Sequence, residues 1–148
     1  MAKATIAQIV LPIHVNGQHR LFGGQLMAWI DVTAAVAARR FAGSEVTTVA
    51  VDNLTFLGPA KLNDTVVLKA QLTWTGETSM EVRVDTYVEP LIDQRELINV
   101  AYLVFVAVDE AGVPRPVPRF VPQDEAQQAE WEAACLRKAH REQFHPHR

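Results

Sequence analysis

Residues 21–38, LFGGQLMAWIDVTAAVAA, set a glycine pair ahead of an almost wholly apolar helical run that carries one carboxylate. From Gln25 to Ala38 the only polar side chains are Gln25, Asp31 and Thr33. A helix that is apolar all round has no solvent face, so the rest of the chain has to cover it. At spacings of three and four, the face shared with Asp31 reads Gly24, Met27, Ala28, Ala34, Ala35 and Ala38. That face is lined mainly by small residues, which leave room beside the carboxylate. An ionised aspartate there costs several kcal/mol unless a partner or water reaches it. The helix alone allows two uses for Asp31: capping a neighbouring loop from a buried position, or performing chemistry.

The covering material follows the helix. Its predicted span is 24–41, with a buried stripe of Leu26, Ile30, Ala34, Ala37 and Phe41 and with Arg39 and Arg40 in the last turn. Gly43 ends it. The pattern then changes to period two, which predicts strands at 46–57, 65–75, 78–89 and 96–108. In the third of these, Met80, Val82 and Val84 face one way and Glu81, Arg83 and Asp85 the other. The last is nearly all apolar, as a central strand covered on both faces would be. Ahead of the helix come a short strand at 4–11 and a polar loop at 14–20 built around Asn16 and Gly17. VPRPVPRFVP leaves the sheet extended. A tail helix is predicted at 124–142, amphipathic through Ala126, Ala129, Ala133, Leu136 and His140. The expected fold is α+β: an antiparallel sheet wrapped around one long apolar helix, residues 1–122, with a C-terminal amphipathic helix and tail, residues 123–148.

Composition removes several function classes. A formal charge of −3 over 148 residues gives no electrostatic basis for nucleic-acid binding, and there is no basic run. The single cysteine, Cys135, excludes an internal disulfide and belongs to no metal pattern. The N-terminal residues lack a signal peptide's apolar core, and no window approaches the ~18 apolar residues of a membrane span. The expected setting is cytoplasmic, with no membrane partner.

The ordered set of Asn16, FGGQLMAWID, VTTVAVDNLTF, TSMEV and VAYLVFVAVD resembles the acyl-CoA thioesterases of the hotdog fold. The resemblance runs over roughly residues 5–120. It points to the branch holding bacterial short- and medium-chain acyl-CoA hydrolases and animal two-domain cytosolic acyl-CoA hydrolases. It implies a hotdog fold, hydrolysis of acyl-CoA to a free acid and CoA, and active sites between paired hotdog units. No separate cofactor is implied, coenzyme A being part of substrate and product. The functional asparagine and aspartate of that branch fall on Asn16 and Asp31. TSMEV and its polar strand start put Thr78, Ser79 and Met80 beside the CoA arm. Three positions depart from the family pattern. His19 stands where a glycine is usual, Val32 where an acidic or small residue often follows the aspartate, and Glu77 where a basic residue often precedes TSM. The first two bear on loop shape and substrate preference; the third takes away a phosphate contact.

Thioester hydrolysis needs a nucleophile or general base, donors for the developing oxyanion, and a slot for pantetheine. The chain offers no GxSxG, and Cys135 lies on the tail helix. His14 and His19 sit five apart in a loop with no neighbouring carboxylate, a poor metal pattern. Asp31 remains, as base or nucleophile, together with the free N–H groups at Gly23 and Gly24 as an oxyanion site. Gly24 and Asp31 are seven residues apart, roughly 10 Å along a helix, too far to serve one carbonyl carbon. A two-fold pair of chains removes the conflict, with Asn16 and Gly23 of one copy facing Asp31 of the other. The expected partner is therefore a second copy, in a dimer or a dimer-based tetramer or hexamer. Residues 49–56, Phe56 among them, are either channel lining or core. Arg83, Arg137, Lys138 and Arg141 are either phosphate ligands or solvated charges. A hydroxyacyl-thioester dehydratase would need a histidine at the helix, and none occurs between Arg20 and Ala139. A non-catalytic acyl-CoA-binding hotdog protein is the remaining alternative.

Overall fold

The computed structural model describes residues 3–144. Strands β1 (Lys3–Ile9), β2 (Glu45–Phe56), β3 (Thr65–Thr75), β4 (Ser79–Glu89) and β5 (Glu96–Val108) form one antiparallel sheet in the order β1-β3-β4-β5-β2. Helix α1 (Gly23–Ala42) crosses one face and touches all five strands. Helix α2 (Glu125–Phe144) docks on the opposite face, through Glu81, Tyr102 and Asp52. Every predicted element is present, and its ends lie within two residues of expectation. Among the described residues no helix is long and apolar enough to cross a membrane.

The core lies between α1 and the sheet. Leu26, Ile30, Ala34 and Ala37 are buried as the periodicity predicted, and Trp29, Thr33 and Ala38 widen the stripe. Each large side chain among them contributes roughly 1.5–3 kcal/mol by leaving water. Met80, Val82 and Val84 of β4 and Ala101, Leu103 and Phe105 of β5 supply the facing layer. Gly43 closes α1 in the left-handed conformation, φ 68°, and its N–H donates to the Arg39 carbonyl at 2.9 Å. The expectation that α1 has no exposed flank is not met within one chain. Val32 is exposed and Met27, Asp31 and Ala35 are half-buried, because a five-stranded sheet does not close round a helix. Phe41, read as part of the buried stripe, is half-buried. β5 is an interior strand between β4 and β2, but β4 is the middle one.

β2 departs most from simple alternation. It is an edge strand, and it carries two bulges against β5, one between Thr48 and Ala50 and one between Asp52 and Thr55. Each extra residue inverts which side chains face α1. Thr48 and Phe56 both face the helix, since two inversions cancel. The segment between them is turned over, so that Asp52 points to α2 and bonds Arg141. Within residues 49–56 only Leu54 packs against the core, while Val49 and Phe56 are each 53% exposed.

The proline-rich exit runs beside the β3–β4 turn, with Arg115 N–H donating to Ala107 O and Val117 N–H to Glu77 O, both at 2.9 Å. It then seats Phe120 against Trp131 of α2, rings stacked at 6.2 Å. α2 corrects the predicted amphipathic stripe. Its inward residues are Glu130, Trp131, Ala134, Arg137 and Arg141, while Ala126, Ala129 and His140 are exposed and Leu136 is 74% exposed. The outer sheet face is polar at Glu81, Arg83, Asp85 and Asp52, so the helix turns its charges inward to meet it.

Candidate active site

The loop ahead of α1 is fixed by Asn16. Its Oδ1 accepts from the N–H groups of Gln18 at 2.9 Å and Arg20 at 3.3 Å, closing an Asx turn. Both bonds use the carbonyl oxygen; the Nδ2 donor has no partner among the described residues. Asn16 lines an open cleft of about 450 Å³ with Leu21, Leu26, Phe56, Gly58 and Ile98. Gly23 belongs to the same corner, for a Cβ there would lie 3.7 Å from the Phe56 ring. Gly24 is more constrained, with Phe22 Cε2 only 2.6 Å from where a Cβ would stand.

Asp31 lies elsewhere. It is half-buried, eight residues and about 12 Å along the helix from Gly23. Thr48 Oγ1 donates to Asp31 Oδ1 at 2.7 Å. That bond holds the carboxylate while leaving its second oxygen without a protein donor among the described residues. Asn16, Gly23 and Phe56 thus come together, and Asp31 stands apart from them within one chain.

Thr78, Ser79 and Met80 occupy the β3–β4 turn and the start of β4, at the sheet end that pairs with Val106 and Phe105. Thr78 and Ser79 are half-buried. Met80 is fully buried, so its side chain is core and the surface at this turn comes from the two hydroxyl residues. Met80, Phe105 and Thr48 are consecutive partners across β4, β5 and β2. This row links the TSMEV strand to the strand that holds Asp31.

Of the four candidate phosphate ligands, the three arginines are not solvated charges. Arg137 makes a forked pair with Glu81, Nε to Oε2 at 2.9 Å and Nη2 to Oε1 at 2.8 Å, and its guanidinium stacks 3.7 Å over the Tyr102 ring. Arg83 bonds Asp85 at 2.9 Å and pairs with Glu130, and Arg141 pairs with Asp52. Burial lowers the pKa of both Arg83 and Arg137, but the hydrogen-bonded carboxylates Asp85 and Glu81 outweigh it and hold both above the usual arginine value. Burial likewise pushes the Tyr102 hydroxyl up. These arginines are therefore already neutralised; the fourth candidate, Lys138, near Glu142 and the Trp74 ring, is a surface charge.

Sequence reasoning missed Thr48, Phe22 and the burial of Glu81. Thr48 sits in a VTTV run where nothing separates it from Thr47; only contact with Asp31 does.

The sequence signature of the thioesterase superfamily matches residues 18–91. The Bacillus subtilis protein named uncharacterized acyl-CoA thioester hydrolase YkhA is 43% identical over 117 residues, which cover 78% of this chain and 68% of that one. This chain belongs to the thioesterase superfamily. Among solved structures, this member superimposes on the acyl-CoA hydrolase of Staphylococcus aureus, solved with butyryl coenzyme A, coenzyme A and coenzyme A disulfide. The TM-score is 0.90 at 34% identity, over 97% of this chain and 88% of that one. An apo-hexameric acyl-CoA thioesterase gives a TM-score of 0.93 at 36% identity, over 99% of this chain and 95% of that one. The antiparallel sheet with its long central helix is the hotdog fold of these enzymes. Further structures of the Staphylococcus aureus enzyme carry alanine in place of one asparagine, one aspartate or one threonine. There the aspartate follows the asparagine by fifteen positions and the threonine follows the aspartate by seventeen.

Proposed function

We propose that this chain is an acyl-CoA thioester hydrolase, releasing a carboxylic acid and CoA, and that its site is completed by a second copy. The observation that carries the reading is Asp31, the one carboxylate on an apolar helix, half-buried and held by Thr48 at 2.7 Å. Asn16, Asp31 and Thr48 stand at the same separations as the three residues replaced in the Staphylococcus aureus enzyme.

The unpaired edge of β2 supports the dimer. It is long and partly apolar, the kind of edge that calls for a partner. Antiparallel pairing of two copies about a two-fold axis at Asp52 sets residue 48 of one opposite residue 56 of the other. That brings Asp31 and Thr48 of one protomer to the cleft that holds Asn16, Gly23 and Phe56 of its partner. Three such dimers would make a hexamer, the state named for the apo-hexameric relative.

At such a site the N–H groups of Gly23 and Gly24 polarise the thioester carbonyl, and the Asn16 amide donates to the water or the thioester. Asp31 acts as general base or nucleophile. As base it takes the proton of the attacking water, and the tetrahedral intermediate expels the CoA thiolate, which recovers that proton. Thr78 and Ser79 hydrogen-bond the CoA arm. A cytoplasmic location fits this reading.

A panel of acyl-CoA esters from two to eighteen carbons, with released thiol detected colorimetrically, is expected to give turnover on at least one chain length. Tight CoA binding without turnover on any ester is the outcome of a non-catalytic binding protein. In crystals soaked with CoA, the pantetheine arm is expected beside Thr78 and Ser79. A nucleotide more than ~10 Å from both would count against their role.

A further inference from the structure

The start of α1 is built against the usual rule for helix caps. Ser, Thr, Asp and Asn are preferred at the N-cap because their oxygens accept from the first free N–H groups. Here the N-cap is Phe22, which makes no side-chain cap hydrogen bond. The first-turn amides of Gly23 and Gly24 keep no intrahelical acceptor. The ring, 44% exposed, folds back onto Gly24, its Cε2 2.6 Å from the site of a Gly24 Cβ. The Phe56 ring approaches the adjacent Gly23 from β2 at 3.7 Å on the same measure. Two aromatic rings therefore flank the two glycines whose donors the hydrolase reading assigns to the thioester carbonyl. The backbone holds Phe22 in place at both ends: its N–H donates to His14 O at 3.1 Å, and its carbonyl accepts from Gln25 and Leu26 at 3.1 and 3.2 Å.

We propose that Phe22 is a positioning residue for hydrolysis. It keeps the Gly24 amide uncapped by any side chain of its own chain, and it walls that donor with apolar surface. The proposal rests on the hydrolase reading. An amide donor is worth most to a developing oxyanion where water is excluded and no competing acceptor is bound. A helix of this length gives up the stability of a polar cap to keep that donor open.

The test sets stability against turnover in one residue. Phe22→Ser supplies an acceptor to the Gly24 or Gln25 N–H. It is expected to raise Tm by about 2–4 °C, the shift one N-cap gives in a chain of this size. It is also expected to lower kcat by ~10²-fold, the scale of one lost oxyanion donor, with KM changing far less. Phe22→Leu stays apolar and offers no acceptor, so its kcat remains near wild type. Wild-type kcat in Phe22→Ser, an equal loss in Phe22→Leu, or a lowered Tm in an inactive Phe22→Ser would each overturn the role of Phe22. Those three outcomes leave the hydrolase reading standing. Absence of hydrolysis by the wild-type chain across the acyl-CoA panel would instead overturn that reading, and this proposal with it.

Discussion

Asp31→Asn protein is expected to fold as the wild type does and to lose at least ~10²-fold in turnover, the lower range for a positioned acid–base group. The amide is nearly isosteric, and its oxygen still accepts from Thr48, so the 2.7 Å contact survives. Removing a charge from an apolar helix holds or raises stability. Near wild-type turnover in well-folded Asp31→Asn would end the mechanism proposed here. The second arm tests the shared site. Asn16→Asp keeps the oxygen that closes the Asx turn on Gln18 and Arg20 while removing the amide donor. Alone, this variant is expected to be nearly inactive. Mixed in equal amounts and allowed to exchange, Asp31→Asn and Asn16→Asp chains form heterodimers with one intact site and one doubly impaired. Random exchange then restores about a quarter of wild-type activity. If Asp31 were only structural, the variant would show a lowered Tm, unchanged turnover per folded molecule and no rescue on mixing.

The pattern of what could be read from the chain has a physical basis. α1 was legible because twenty residues of one periodicity bounded by Gly-Gly and Gly43 leave few alternatives. β3, β4 and β5 were legible because each buries one or both faces. β2 was harder. Its bulges at residues 49 and 53–54 leave its composition unchanged while inverting its faces, so Asp52 went unseen as the partner of Arg141. The contacts of α2 were hidden for a different reason. Periodicity arguments assume that a helix docks by its apolar side, and this one docks by its charges. Asn16 and Asp31 stood out as unusual residue types in their settings. Thr48 did not, because a hydroxyl in a strand is ordinary until its partner is known.

The outer-face charges carry the second large expectation, on stability. Glu81 has 0% of its surface exposed, and its carboxylate is satisfied by Arg137 and by Thr73 Oγ1, which donates at 2.6 Å. Replacing Arg137 with Met keeps much of the bulk over Tyr102 but takes the forked partner from the buried carboxylate, leaving it Thr73 and, at 3.8 Å, Arg141, which Asp52 already engages. The expected cost is about 3–5 kcal/mol, the range for breaking a buried pair from one side, or a fall in Tm of roughly 6–20 °C. Replacing both residues with apolar side chains, Glu81→Met with Arg137→Met, removes the uncompensated charge and is expected to recover most of that loss. The comparison separates two views of the network. If α2 is held mainly by the ion pairs, the double variant stays as unstable as the single one. If the cost lies in the stranded charge, stability returns, since Trp131 on Phe120 and Ala134 still pack the helix down. Thermal melts of the three proteins decide it. The second outcome is expected because a buried pair's attraction is largely spent on its own desolvation. On that outcome Glu81 would serve to fix where α2 sits on the sheet, with the aromatic contacts at Phe120 carrying more of the stability.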